Sequence, residues 1–321
     1  MRAISAVAGR KAPQPVAKPE AVVFPAVPQR PMALAANAPG PVAVNNRCIN
    51  CGTCWTFDPQ HFAPSGEHAH VCQQPSGAEA IERTRLASLA CPVAAIQLTP
   101  GLVGTVPAGG FPIPITQHRC GEVFYCSWAS PLSFGASSWY IRRPEGNVLV
   151  DSPRWNAPLA RRLQQLGGVR WLLLTHRHDV ADHQRWVQQF GCERLIHAAD
   201  ADAAHEAEQQ LQGQALMQLA PGLQLVPVPG HTAGSMVVLL GEQRLVLFSG
   251  DHLWWNQRLQ QLEASETHCW WNWPAQLRSL KLLQGLDVAW LLPGHGSKHA
   301  FEPGDWDASL SRYLSSLIGE S

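Results

Sequence analysis

Five apolar runs in the second part of the chain each stop on a histidine or an aspartate. "NVLVDSP" ends at Asp151, "WLLLTHRH" runs into His176 and His178, "VPVPGHTAGS" holds His231, "LVLFSGDHL" holds Asp251, and "AWLLPGHGS" holds His295. The run "VRWLLLT" does not alternate and reads as a strand buried on both faces. "RLIHAAD", "LQLVPVPG", "SMVVLLG" and "RLVLFSGD" read as further strands, and "SSWYIRRPEGNVLVD" as two strands joined at Pro-Glu-Gly-Asn. Imidazoles and carboxylates at strand ends can converge at one rim, where rigid elements hold them as ligands of a cation. Glycines beside them, such as Gly230, Gly250, Gly294 and Gly296, allow the turns this requires. Helices alternate with the strands: "SPRWNAPLARRLQQLG", "DHQRWVQQFG" with Asp182 placed as N-cap, and "PAQLRSLKLLQG".

A chain of 321 residues is long enough for two domains and a sizeable core. Lys plus Arg equals Asp plus Glu at 24 each, which argues against a nucleic-acid or anionic-membrane partner. No stretch approaches the roughly 18 apolar residues of a membrane span. Residues 1–44 are rich in Ala, Pro and Val without periodicity and read as a disordered arm. The start "MRAISAVAGRK" makes a poor secretory signal, while organelle targeting by the arm stays open because residues 1–44 hold a single acid, Glu20. Nine cysteines are an odd number, which disfavours a disulfide framework and suggests a reducing, cytoplasmic setting. Residues 100–116, "PGLVGTVPAGGFPIPIT", read as a linker between a unit at 45–99 and a second at 117–321.

The first unit carries "CINCGTC", with Cys48, Cys51 and Cys54 at three-residue spacing, and "ACPVAAI", with Cys91 before a proline. Two-residue gaps let three thiolates of one tight loop cover one face of a cubane, and a distant Cys-Pro supplies the fourth corner. Zinc is the rival occupant of such thiols. "FDPQHFAPSGEHAHVCQQP" reads as strand–turn–strand, with Cys72 as a half-buried strand residue, and "GAEAIERTRLASLA" as a helix leading to Cys91. The segment resembles a single-cluster bacterial-type ferredoxin, small and α+β, which implies one [4Fe–4S] cluster on Cys48, Cys51, Cys54 and Cys91.

"T-H-x-H", "PGHTxGS", "SGD" and "PGHG", in this order, resemble the metallo-β-lactamase superfamily over residues 112–300. The resemblance implies an α/β fold, an αββα sandwich with one or two divalent metals at one edge. It also implies that His231 serves one metal, His295 the other, that Asp251 bridges them, and that Asp151 supports the site from behind. The loop "THRHDVADH" departs from the family's H-x-H-x-D-H, and two registers are open. In the first, an insertion delays the Asp-His pair, so His176, His178, Asp182 and His183 are ligands and Asp182 accepts the proton. In the second, the following helix fixes the register, the loop is shortened, and His178 and Asp179 take the place of the pair. The first is the reading adopted from sequence.

A histidine at the second loop position, where diiron relatives usually carry a carboxylate, points to a zinc-dependent hydrolase of an ester or thioester-type small molecule. The cluster points the other way, to an iron-dependent oxidoreductase fed by a redox partner protein. A non-catalytic sensing or binding protein with an altered metal loop is the third reading. The tryptophans at 254, 255, 270, 271 and 273 are read as core, as substrate mouth, or as cover between the two units. Cys120 and Cys126 lie too close along one strand to pair, and Cys192 and Cys269 read as structural.

Overall fold

Val148 and Val150 face one way and Leu149 the other, and all three are buried. The same holds for Trp171 and Leu173 against Leu172 and Leu174. Such strands need cover on both faces, and the fold supplies it with two sheets and an outer layer of helices on each. The computed structural model describes residues 31–103 and 110–319. Seven strands form one sheet, in the order Gln209–Leu211, Glu193–His197, Trp171–Leu173, Val148–Val150, Trp139–Arg142, Gly121–Tyr125 and Ile113–His118. Six form the other: Met217–Ala220, Leu223–Pro227, Met236–Leu240, Leu245–Gly250, Val288–Pro293 and His299–Ala300.

The inner faces meet in one apolar core, where Val148, Val150, Trp171 and Leu173 pack with Leu225, Val238, Val246 and Phe248. Outside the first sheet, Leu159 and Leu163 of helix Ala157–Gln165 and Trp186 of helix His183–Phe190 cover Leu149, Leu172 and Ile196. Outside the second, Leu280 of helix Trp273–Leu280 and Trp306 and Leu310 of helix Asp305–Gly319 cover Val237, Leu247 and Leu291. This is the expected αββα sandwich. The helix starts follow local chemistry: Asn156 accepts from Leu159 N at 2.9 Å and Asn272 from Ala275 N at 2.8 Å.

Parallel pairing between Val148–Val150 and Trp171–Leu173, and between Leu245–Gly250 and Val288–Pro293, sends several strand ends to one edge. There Met236 N donates to Thr175 O at 2.9 Å, joining the two sheets, and Gly294 N donates to Gly250 O at 2.8 Å.

The cysteine-bearing unit pairs Val42–Val44 with Ile96–Leu98, closes the hairpin Phe62–Ser65 with His68–Val71, and adds helices Thr53–Phe57 and Ala78–Ala90. Residues 1–30 of the expected arm lie outside the described residues, but 31–44 are structured. Asn37 donates to Leu34 O and Val44 O at 2.7 and 2.8 Å and accepts from Val44 N and Val71 N at 2.9 and 3.0 Å. Residues 113–116 of the expected linker belong to strand Ile113–His118, and 104–109 lie outside the described residues. Packing crosses between the units: Ala90 belongs to the inter-sheet core, and the Phe57 ring lies 5.9 Å from Phe111 and 6.0 Å from Tyr125. Cys72 is exposed rather than half-buried, just past its strand.

Candidate metal centre

Each strand end delivers one polar side chain to the shared edge. Behind it, Asp151 sits at φ 56, a left-handed backbone that turns its carboxylate back under the next strand end. It accepts from Thr175 N at 2.8 Å and from Thr175 Oγ1 at 3.0 Å. Because that hydroxyl hydrogen is spent on Asp151, the 3.1 Å contact between Thr175 Oγ1 and His176 Nδ1 needs the proton on Nδ1. His176 Nε2 is thereby left to face the site, 3.6 Å from Asp251 Oδ2.

His176, His178 and His231 bring their ring nitrogens within 4.8 Å of one another. Their rings stand nearly perpendicular, with His178 Nδ1 at 3.2 Å from His231 Nε2. Asp251 Oδ2 lies 3.6 Å from His231 Nε2 and 3.7 Å from His295 Nε2, so it is the hub of the group. Asp179 completes a second group with His176 and Asp251.

Asp182 and His183, ligands in the first register, lie outside both groups, whereas His178 and Asp179 lie within them. Asp182 Oδ2 accepts from Trp155 N at 2.8 Å, and His183 Nδ1 faces Arg194 Nη1 at 3.2 Å. The cause is the loop after Asp151. Ser152 N donates to Asp179 O at 3.1 Å while Trp155 N holds the Asp182 carboxylate, so the two ends of "DVAD" are gripped with Asp179 turned inward and Asp182 outward. Asp182 occupies the N-cap position without a side-chain cap bond.

A residue that sequence reading missed is Asp200, buried at the end of "HAAD". Its carboxylate accepts from Arg177 N at 3.1 Å, from Thr232 Oγ1 at 2.5 Å and from Gly234 N at 3.1 Å. It thus ties the "THRH" loop to the "PGHTAGS" loop. Its signal was present, since "RLIHAAD" ends on an aspartate as the ligand strands do.

The electrostatics are those of a cation site. Burial raises Asp179 well above the ordinary carboxylate range, and the neighbouring Asp251 adds to it. Burial likewise lifts Asp151 to about 7. Burial works to lower His176, but Asp179, Asp251 and Asp151 overcome it and push it up to about 10, so a proton sits where a metal cation would. Burial and the nearby His176 depress His178 to about 4 and His231 to about 3, leaving neutral imidazoles. Both Asp179 oxygens, Asp251 Oδ1 and His176 Nε2 are shielded from solvent and have no hydrogen-bond partner. Orphaned polar atoms of this kind are costly unless a cation completes them. Ligand nitrogens on a tetrahedral zinc lie about 3.3 Å apart, close to the spacing of His178 and His231. The residues fit a divalent metal.

The cysteines fit a cluster on the same kind of test. Cys48, Cys51, Cys54 and Cys91 are free thiols lining one apolar cavity with Val44 and Ile96. Burial pushes Cys51 up to about 11 and Cys54 well above the usual thiol range, so thiolates there need a metal to offset them. Backbone N–H groups already aim at the sulfurs: Ala69 N to Cys48 Sγ at 3.3 Å and Ala95 N to Cys91 Sγ at 3.2 Å.

The profile of the metallo-β-lactamase superfamily matches residues 133–295. The chain belongs to that superfamily. A second profile, the 4Fe-4S single cluster domain of Ferredoxin I, matches residues 44–98. Among curated proteins, a hydroxyacylglutathione hydrolase of Anaeromyxobacter dehalogenans is 39% identical over 113 residues, 34% of this chain and 42% of the relative. One of Acidiphilium cryptum is 28% identical over 109 residues, 33% of this chain and 44% of the relative. The chain therefore spans less than half the length of either. Among solved superfamily structures, the metallo-β-lactamase FIM-1 of Pseudomonas aeruginosa is 16% identical with a TM-score of 0.48, covering 66% of this chain and 99% of that one. A metallo-β-lactamase of Hirschia baltica is 18% identical with a TM-score of 0.45, covering 63% and 96%.

Proposed function

We propose that this superfamily member is a metal-dependent hydrolase of a thioester or related ester with an apolar acyl group. The observation that carries the reading is the three-imidazole face of His176, His178 and His231 beside Asp251, with its orphaned acceptors. That face with Asp251 would hold one zinc ion, and Asp179, Asp251 and His295 would hold a second, weaker one. When bound, divalent metal supplies Lewis-acid polarisation of the carbonyl and a nucleophile available at neutral pH. The chain's own residues orient and shield. Asp251 Oδ2 serves both sides of the site, Asp151 and Thr175 fix the His176 tautomer, and Asp179 offers a buried carboxylate oxygen for the proton.

The thioester class is supported by the named activity of the two curated relatives. The apolar acyl group is supported by the rings at the mouth. Trp270, 64% exposed, stands edge-to-face with His178, ring centres 6.1 Å apart, and is anchored through Trp270 N to His231 O at 3.0 Å. Phe134, 49% exposed, lies 6.3 Å from His295 on the other flank. Arg177, the cation inside the loop, is engaged by Asp202 at 2.7 Å. Trp255, by contrast, is core.

Protein prepared without oxygen should carry zinc in addition to cluster iron and should cleave S-acyl thioesters. His231→Ala and Asp251→Ala should abolish turnover, and Trp270→Ala should raise KM for long acyl chains about tenfold, the effect of about 1.4 kcal/mol of lost contact. Non-haem iron in place of zinc, with no thioester turnover, would instead favour an oxidoreductase fed by the cluster.

A further inference from the structure

We infer that Thr53, a residue of the iron–sulfur unit, is a positioning residue of the sandwich site and makes the two centres sense one another. The inference rests on the metal-binding reading above.

Thr53 is buried, and its hydroxyl lies between two acceptors. It donates to Gly135 O at 2.9 Å and lies 3.2 Å from Cys51 Sγ. A cluster-bound thiolate has no hydrogen, so the hydroxyl is the donor to the sulfur as well. It has a single hydrogen to give. Were one electron from a low-potential donor to reduce a cluster held by Cys51, the added negative charge on its sulfur ligands would draw that hydrogen toward Cys51 Sγ. Gly135 O would then lose its partner. No covalent bond would change; the electron would stay on the cluster.

Gly135 cannot ignore this. A β-carbon there would stand 2.7 Å from Cys51 Cβ and 2.8 Å from its sulfur, so the Gly135 backbone packs directly on the Cys51 side chain. From Gly135 the chain leads both ways to the metal site. One residue back, Phe134 faces the His295 ring at 6.3 Å. Two residues on, Ser137 N donates to Gly294 O at 2.7 Å. Gly294 precedes His295 and is packed so closely on the carboxylates that a β-carbon would stand 2.6 Å from Asp251 Oδ1 and 3.0 Å from Asp179 Oδ2. The line from cluster sulfur to metal carboxylates is thus a short series of contacts with one movable hydrogen in it.

Linkage makes the coupling reciprocal: if reduction changes zinc affinity by some factor, zinc must shift the cluster potential to match. A tenfold change corresponds to about 59 mV for one electron. The test is therefore a mediated anaerobic redox titration of the cluster in full-length protein, zinc-free and zinc-loaded, without substrate. Wild type should show two different potentials. In Thr53→Val the difference should vanish, with a lower zinc-free potential because a hydrogen bond to sulfur is gone; Thr53→Ser should restore both. Thr53→Ala removes the same hydroxyl with less bulk and serves if the valine variant does not assemble its cluster. Equal potentials in wild type overturn the proposal. So does a zinc-dependent difference that persists without the hydroxyl, which would mean plain through-space attraction. A failure of thioester hydrolysis leaves these readings untouched.

Discussion

Asp179 and Asp182 look interchangeable in "HDVADH", and what separates them is non-local. The backbone of Ser152 holds Asp179 O, and that of Trp155 holds the Asp182 carboxylate, from a loop far away in sequence. Spacing alone carries no trace of that grip, so the two histidines that join the candidate site, His176 and His178, were legible while the carboxylate between them and the helix was not. Asp179→Ala should strip metal from the acidic side of the site, read as metal per chain. Asp182→Ala should keep full metal and lose about 1 kcal/mol of stability from one hydrogen bond. Equal metal loss in both variants would restore the longer register. Gly135 makes a second point at this scale: it lies at φ 87 with no room for a β-carbon against Cys51. Gly135→Ala should destabilise the folded chain by about 1–3 kcal/mol and lower iron per chain.

At the scale of elements, the strands that read clearly were those whose apolar runs are buried on both faces, because no other local structure suits them. Their ends were legible for the same reason, since a histidine or an aspartate interrupts the run. Elements held by partners distant in sequence were not. Val42–Val44 is only three residues long and exists through Ile96–Leu98 and the Asn37 side chain, so its segment read as part of an arm. The hairpin Trp254–Asn256 with Gln261–Glu263 is equally short and was not singled out. Asp200 shows what element ends do for the loops beside them. It fastens the loop of His176 and His178 to the loop of His231 through three bonds. Asp200→Asn should keep the fold yet weaken zinc affinity about 10–100-fold, the usual cost of losing a group that orients ligands. Equilibrium dialysis with metal analysis measures this, and unchanged affinity would reduce Asp200 to a packing role.

The cysteine-bearing unit and the sandwich were expected to be separate because a Gly/Pro stretch lies between them. The structure joins them. Residues from Pro31 onward cluster as one compact unit. Ala90, at the end of the helix that leads into Cys91, lies in the core between the two sheets, and Leu86 and Leu89 pack against that core. Arg154, in the loop beside Asp151, reaches Pro92 O at 3.4 Å. A cluster that fixes Cys91 therefore also fixes part of the sandwich core. Removing it should cost stability throughout, as for any ligand bound only by the native state. Cys51→Ala, without its cluster, should lower the unfolding midpoint of the whole described chain in one transition, seen alike by tryptophan fluorescence and by far-UV dichroism. Its zinc content should fall as well, because Gly135 and the Gly294 turn lose the wall they lean on. Two separate transitions, with the sandwich melting as it does in the wild type, would show that the cluster stabilises only its own unit.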